Sequence, residues 1–182
     1  MYQNRTFYYF RNLWKNFCVS QHFFTNTQAV PALRSIDVVF MFNGTKKKSK
    51  YYIATMCVIL YIVTGQYPKF IKSRKQAVIG CRVTLRNANL YVFLEKLNTF
   101  IFPYIQLPKL MVPRVVDSRT FLLCFKTLNL FFESDFIYSN FTKYLTRFNT
   151  QAQCFIYFKY TRDFDLAESR NFLTLSQVCM AA

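Results

Sequence analysis

Residues Ile79 to Arg86 read IGCRVTLR, an unbroken alternation of apolar and polar or small residues. In an extended chain successive side chains point to opposite faces, so Ile79, Cys81, Val83 and Leu85 fall on one side and Gly80, Arg82, Thr84 and Arg86 on the other. The first side is core. The second is a ladder of two guanidinium groups about a hydroxyl, suited to phosphate oxygens, with Thr84 as a hydrogen-bonding partner. The plainer alternative is a solvent-facing strand whose arginines discourage edge pairing. The flanking sequence chooses between them.

Between Asp37 and Glu95 there is no acidic residue, yet Lys46, Lys47, Lys48, Lys50, Lys69, Lys72, Arg74, Lys75, Arg82 and Arg86 all lie there. The run KKKSK alone would be a solvated loop. In company with Thr64 to Lys75, TGQYPKFIKSRK, and the Arg-Thr-Arg ladder, it points to a surface that holds an anion. The whole chain carries 24 Lys and Arg against 8 acids, a formal net charge of +16. Such an excess attracts anionic partners and is silent on fold. With 53% hydrophobic residues the chain is no disordered basic tail. A folded domain with a cationic face follows, its first partner class nucleic acid and its second an anionic membrane surface.

Working outward from the octet, Ser35 to Phe42 (SIDVVFMF) is strand-like and stops at Asn43-Gly44. Tyr51 to Val63 is apolar on every side, and its length and the Gly65 stop favour a helix. After the octet, Asn87 is expected as an N-cap. Leu90, Leu94, Leu97 and Ile101 then make the core stripe of a helix ended by Pro103. From Pro103 to Asn149 strands joined by loops are expected. Gln151 to Thr161 is a strand with Cys154, Ile156, Phe158 and Tyr160 on one face, and Asp165 to Glu168 forms a capping box opening a last helix. The fold class is α+β: an antiparallel sheet with helices packed on one face. Residues 1–28 form a helical, aromatic extension with Phe7, Phe10, Leu13, Trp14 and Phe17 at helical spacing, preferred over a transit peptide. Residues 29–182 form a single domain, divergent at 103–149.

Other functional classes find little support. Cys18, Cys57, Cys81, Cys124, Cys154 and Cys179 are scattered without a C-x-x-C pair, so neither a zinc knuckle nor a disulfide framework is indicated. The one histidine, His22, cannot alone build a metal site or a Ser-His pair. Asp163 and Asp165 lie close together, but Asp165 has a simpler use as a helix cap. No phosphate-binding glycine loop or nucleophile motif occurs. The expectation is a non-enzymatic protein without metal or cofactor. The apolar run Tyr51 to Tyr67 is too short to span a bilayer.

TGQYPKFIKSRK followed by IGCRVTLRNANLYVFLEKL resembles the L-five family of large-subunit ribosomal proteins. There a helix ends in T-G-Q-x-P, a Lys-rich run follows, and I-G-C-K-V-T-L-R leads into x-x-x-M-Y-E-F-L-x-R-L. The matching residues are Thr64, Gly65, Gln66, Pro68, Lys72, Lys75, Ile79, Gly80, Cys81, Val83, Thr84, Leu85, Arg86, Tyr91, Phe93, Leu94 and Leu97. Val30-Pro31 resembles the family's V-P-R element. Clear resemblance covers Ala29 to Phe102. Three departures stand beside it. The glycine-containing hairpin between the Lys run and I-G-C is reduced to Gln76, Ala77 and Val78. The family's P-R-x-R-D-F-R-G could match in line at Pro103-Tyr104-Ile105, or after an insertion at Pro113 to Arg119, the preferred match, which keeps Arg114 and Arg119. The glycine-rich loop beyond has no counterpart, because no glycine follows Gly80.

The resemblance implies a structural protein of the central protuberance that binds large-subunit ribosomal RNA and, where present, 5S ribosomal RNA. It further implies contact with other ribosomal proteins, the elbow of the P-site tRNA and a small-subunit head protein. Carried over by position, Gln66, Lys72, Lys75, Thr84 and Arg86 face RNA. Lys69, Arg74 and Arg82 join them on charge and spacing, and Lys46, Lys47, Lys48, Arg114 and Arg119 complete the set. Without the glycine loop, a tRNA contact is expected to be reduced or made by Phe121 to Phe141. Residues with AT-rich codons (Phe, Tyr, Met, Ile, Asn, Lys) number 75 against 28 of Gly, Ala, Arg and Pro. That bias points to a mitochondrial ribosome with the gene in the organelle, a plastid or reduced bacterial ribosome standing second. The rival function is a peripheral protein on anionic membrane, which the spread of cations over several elements disfavours.

Overall fold

The strand Leu33–Phe42 (β1) is buried almost throughout, which marks it as central before its partners are known. In the computed structural model, which describes residues 8, 16, 19, 30, 32–42, 50–74, 77–97, 111–125 and 152–163, β1 pairs antiparallel with a strand on each side. The other elements are a helix, Lys50–Thr64 (α1), strands Lys69–Lys72 (β2) and Val78–Leu85 (β3), and a second helix, Asn87–Lys96 (α2). Strands Met111–Asp117 (β4), Thr120–Phe125 (β5) and Ala152–Tyr160 (β6) follow. The six strands form one sheet in the order β2-β3-β1-β6-β5-β4, with every neighbouring pair antiparallel.

Register builds the core row by row. Val38 stands between Val83 and Ile156, Phe40 between Cys81 and Cys154, and Ile36 between Leu85 and Phe158. β5 extends the same rows with Phe121, Leu123 and Phe125. α1 lies mainly over β3 and α2 over β1. They bring Met56, Ile59, Leu60 and Val63 from one helix, and Leu90, Phe93, Leu94 and the following Leu97 from the other, onto this layer. The helices cover one face of β1 and β3, and the expected alternation is the burial observed from Cys81 to Leu85 in β3 and throughout β6, whereas Ile79 is half-buried and Gly80 buried at the close approach to β1.

α1 ends through the Thr-Gly-Gln turn. Gly65 adopts φ 67° and its N–H donates to the Tyr61 carbonyl at 2.7 Å, an αL cap that a side chain would strain. The Thr64 hydroxyl donates to the Leu60 carbonyl at 2.6 Å, and Lys96 Nζ donates to the Val63 carbonyl at 3.2 Å. The turn therefore has a structural duty of its own. β2 and β3 are joined by a short connection closed by the Ser73 N–H on the Ala77 carbonyl at 2.8 Å.

Two expectations are refined. Asn87 is not the N-cap of α2. Arg86 holds that position in extended backbone and makes no side-chain cap bond, because the strand geometry of β3 runs one residue further. Asn87 opens the helix at φ 51°, a conformation asparagine tolerates. In the divergent region, β4 and β5 are strands, as expected. Pro113 is accommodated because β4 is an edge strand. Phe121 to Phe125 lie in β5; Phe121, Leu123 and Phe125 of the candidate tRNA segment turn to the core, while Leu122, in register with Tyr157, is on the other face and also buried. Of the N-terminal extension, Tyr8, Asn16 and Val19 are helical and Val19 packs on the core. The capping box at Asp165, Ile101, Pro103 and residues 126–141 lie outside the described residues.

Replacing Leu85, fully buried, by Ala removes part of the layer beneath α1 and should cost ~2–5 kcal/mol of stability in denaturant melts. Gly80→Ala should destabilise as well, because a Cβ there would meet the Phe40 carbonyl oxygen at 2.2 Å, a backbone atom that cannot step aside. A Gly80→Ala protein as stable as its parent would contradict this account of the β1–β3 approach.

Candidate nucleic-acid interface

The face of the sheet away from the helices is shallowly concave. Its groove, about 680 Å³, is floored by Asp37, Val39 and Met41 of β1, walled on one side by β2 and Arg82, and on the other by Val116, the exposed acid Asp117, Thr120, Tyr157 and Lys159. Strand parity places the functional side chains here. Cys81, Val83 and Leu85 turn to the core, so Arg82 and Thr84 turn outward and are exposed. Lys69 pairs directly with Arg82 across β2 and β3, both exposed. Like charges directly opposite each other weaken a sheet, and among the described residues neither meets an acid. Thr84 stands in register with Asp37, which in turn pairs with Tyr157.

Two of the acids on or near this face are already engaged. Asp37 accepts from Lys159 Nζ at 2.6 Å. Asp163 accepts from Arg119 Nε at 2.9 Å and Nη2 at 3.3 Å, and from the Ser118 hydroxyl at 2.6 Å. The Arg119 hydrogen bonds, helped by Ser118, hold the Asp163 carboxyl at about 2, below its ordinary 3.8. The wall formed by Lys69, Lys72 and Arg82 has no such neutralisation. Burial pushes the thiols of Cys81 and Cys154 up, which leaves them poor nucleophiles.

The structure gathers Lys69, Lys72 and Arg82 along one groove wall. Arg74 is exposed in the β2–β3 connection and Arg86 at the β3–α2 junction. Gln66 is half-buried beside the α1 cap, its N–H donating to the Thr64 hydroxyl at 3.4 Å. Arg114 stands opposite Leu122 in β4. Arg119 sits in the β4–β5 turn with its guanidinium committed to Asp163, away from the cationic wall. Lys46, Lys47, Lys48 and Lys75 lie outside the described residues. Lys159 and Asp37 had not been singled out. The signal for Lys159 was present: the alternation that puts Phe158 and Tyr160 in the core puts Tyr157 and Lys159 on the open face.

No family model matches the chain. Large ribosomal subunit protein uL5c of Cyanidium caldarium is 33% identical over 89 residues, 44% of this chain and 49% of that protein. Large ribosomal subunit protein uL5 of Clostridium beijerinckii is 30% identical over 107 residues, 54% of this chain and 56% of that protein. That of Chlorobium phaeobacteroides is 32% identical over 105 residues, 53% of this chain and 48% of that protein. The chain thus spans about half the length of the curated relatives it matches.

The Asp163 cluster gives a pH test. A carboxyl whose folded pKa is depressed contributes stability that is present above its unfolded value and lost as pH falls through the folded one. Here the window runs from about 3.8 down to about 2, and the stability change is small because the group is exposed. Carboxyl NMR titration should give an Asp163 midpoint near 2, moving toward 3.8 in Arg119→Gln. An unchanged midpoint in that variant would show that the Arg119 contact is not made in solution.

Proposed function

We propose that this chain, which is a divergent member of the uL5 family of large-subunit ribosomal proteins, is a structural, non-enzymatic constituent of the large ribosomal subunit and binds ribosomal RNA on the open face of its sheet. The observation that carries the proposal is the facing pair Lys69 and Arg82. Two cations opposed across strands, both exposed and with no acid paired to them among the described residues, cost stability in the free protein, and phosphate oxygens bound between them offset that cost. Lys72 extends the wall, and Arg74 and Arg86 flank it. Thr84, outward beside them, supplies a neutral hydrogen bond that fixes register where the charges supply attraction.

Within this function, Gln66, Lys69, Lys72, Arg74, Arg82, Thr84 and Arg86 are the principal proposed RNA contacts, and Lys46, Lys47, Lys48, Lys75 and Arg114 are proposed further contacts on their charge and sequence position. The finer assignment places the chain at the central protuberance, on 5S ribosomal RNA where the ribosome has one, beside the P-site tRNA elbow and a small-subunit head protein. The mitochondrion is the proposed compartment, supported by the AT-biased composition. No helix among the described residues is long and apolar enough to cross a membrane. The binding surface is a strand face with cations on several elements, where a peripheral membrane protein would present one amphipathic helix.

The test is the double variant Arg82→Glu and Arg86→Glu. Both residues are exposed and Arg82→Glu turns the like-charge pair with Lys69 into an opposite-charge one, so thermal stability should stay at or slightly above that of the parent. Co-sedimentation with the large subunit on sucrose gradients should be lost. For the parent on large-subunit ribosomal RNA, about five phosphate contacts predict log affinity falling against log salt with a slope of order −3 to −5. A double variant that assembles normally, or a parent that binds anionic liposomes but not RNA, would overturn the proposal.

A further inference from the structure

Lys159 and Asp37 form an ion pair in the middle of the open face, between strands far apart in sequence. Lys159 pairs in register with Ser35 on β1 and Thr120 on β5, and its Nζ reaches 2.6 Å from Asp37 Oδ2. The two side chains are unequally placed. The Asp37 side chain is sunk in the sheet at 11% exposure, while that of Lys159 is 45% exposed on the groove rim. Both line the groove whose other wall carries Lys69, Lys72 and Arg82. By strand spacing, two strands across and four residues along, Lys159 lies roughly 16 Å from Arg82 between Cα atoms.

As a purely stabilising device the pair is poorly made. A carboxylate taken out of water stabilises a fold only when its remaining lone pairs are also satisfied. Among the described residues Asp37 Oδ1 is buried and has no hydrogen-bond partner. As a device for presenting an ammonium group it is well made. A lysine carries three N–H donors on a long flexible stem, and one donor fixed to a sunken carboxylate leaves two for the groove with the stem already ordered. At 11% exposure the Asp37 carboxylate presents little negative surface to a polyanion in the groove; the exposed acid on this side is Asp117 of β4, farther along the lining.

We infer that Lys159 is a phosphate-contacting residue on the wall of the groove opposite Lys69 and Lys72, and that Asp37 is the positioning residue that aims it. The inference rests on the open face being the RNA surface and adds to it a second line of contact. An RNA segment lying in the groove is then gripped from both sides, with its phosphates taken by β2–β3 on one wall and by β6 on the other.

The experiment measures binding of the full chain to large-subunit ribosomal RNA transcribed in vitro, as a function of salt, for the parent and for Lys159→Gln, Lys159→Arg, Asp37→Asn and Arg82→Gln. Loss of one phosphate contact should reduce the magnitude of the log-log slope by about one. Lys159→Gln is expected to show that reduction together with a lowered melting temperature, because the sunken Asp37 carboxylate loses its charged partner, and Lys159→Arg to restore the slope and most of the stability. Asp37→Asn gives opposite signs for the two explanations. If Asp37 only dampens the positive face, its removal tightens binding. If it aims Lys159, binding weakens several-fold, and Lys159→Gln added to Asp37→Asn weakens it little further. Should Asp37→Asn fail to fold, the Lys159→Gln and Lys159→Arg pair still decides. A slope reduced by Arg82→Gln but not by Lys159→Gln would overturn the inference and leave the RNA surface standing. A slope changed by neither would overturn both, and tighter binding by Asp37→Asn would remove the positioning role.

Discussion

β1 is hydrogen-bonded on both sides, and the two registers it holds fix everything on the open face. With Val38 set between Val83 and Ile156, Asp37 and Val39 must turn away from the helices, and with them the residues they face, Thr84, Tyr157 and Arg82. A slip of one residue in either pairing would turn Arg82 or Lys159 to the core face and Leu85 or Phe158 to the open face. The helices cover one face only, so the penalty for such a slip is high and the cationic surface is held where it is. Gly80 tightens the lock, since the Phe40 carbonyl comes too close to allow a side chain there.

Charge on the open face is divided rather than spread. On the β6 side and in the β4–β5 turn, cations meet acids, Lys159 with Asp37 and Arg119 with Asp163. On the β2–β3 side, among the described residues, they do not. A protein of formal net charge +16 has a general attraction for polyanions. The unneutralised wall gives that attraction a place, and the neutral or paired groups beside it, Thr84, Tyr157 and the Asp37–Lys159 couple, give it a geometry.

The sheet face was legible in the sequence where burial is one-sided. Ile79 to Arg86 and Gln151 to Thr161 alternate because each strand turns one face to the core, and the T-G-Q turn was legible because an αL cap needs glycine. β2 was not legible as a strand. Its four residues, Lys-Phe-Ile-Lys, carry no clear alternation and exist as a strand only through pairing with β3. The hairpin of β4 and β5 was seen only as unassigned strands, because a run so rich in Phe and Leu blurs the contrast between faces. Asn87 was misplaced by one residue, since the extended backbone of Arg86 carries the strand into the cap. The Asp37–Lys159 contact joins residues 122 apart, and no local pattern marks it.

The central claim is that RNA lies on the face opposite the helices, and chemical footprinting of lysines tests it most directly. Lys69 and Lys72 sit on the open-face wall, while Lys96 lies on the helical side with its ammonium on the Val63 carbonyl. Acetylation rates compared with and without bound large-subunit ribosomal RNA should fall at Lys69 and Lys72 and stay unchanged at Lys96. Protection of Lys96 with Lys69 and Lys72 still reactive would place the RNA on the wrong side of the sheet and contradict the account.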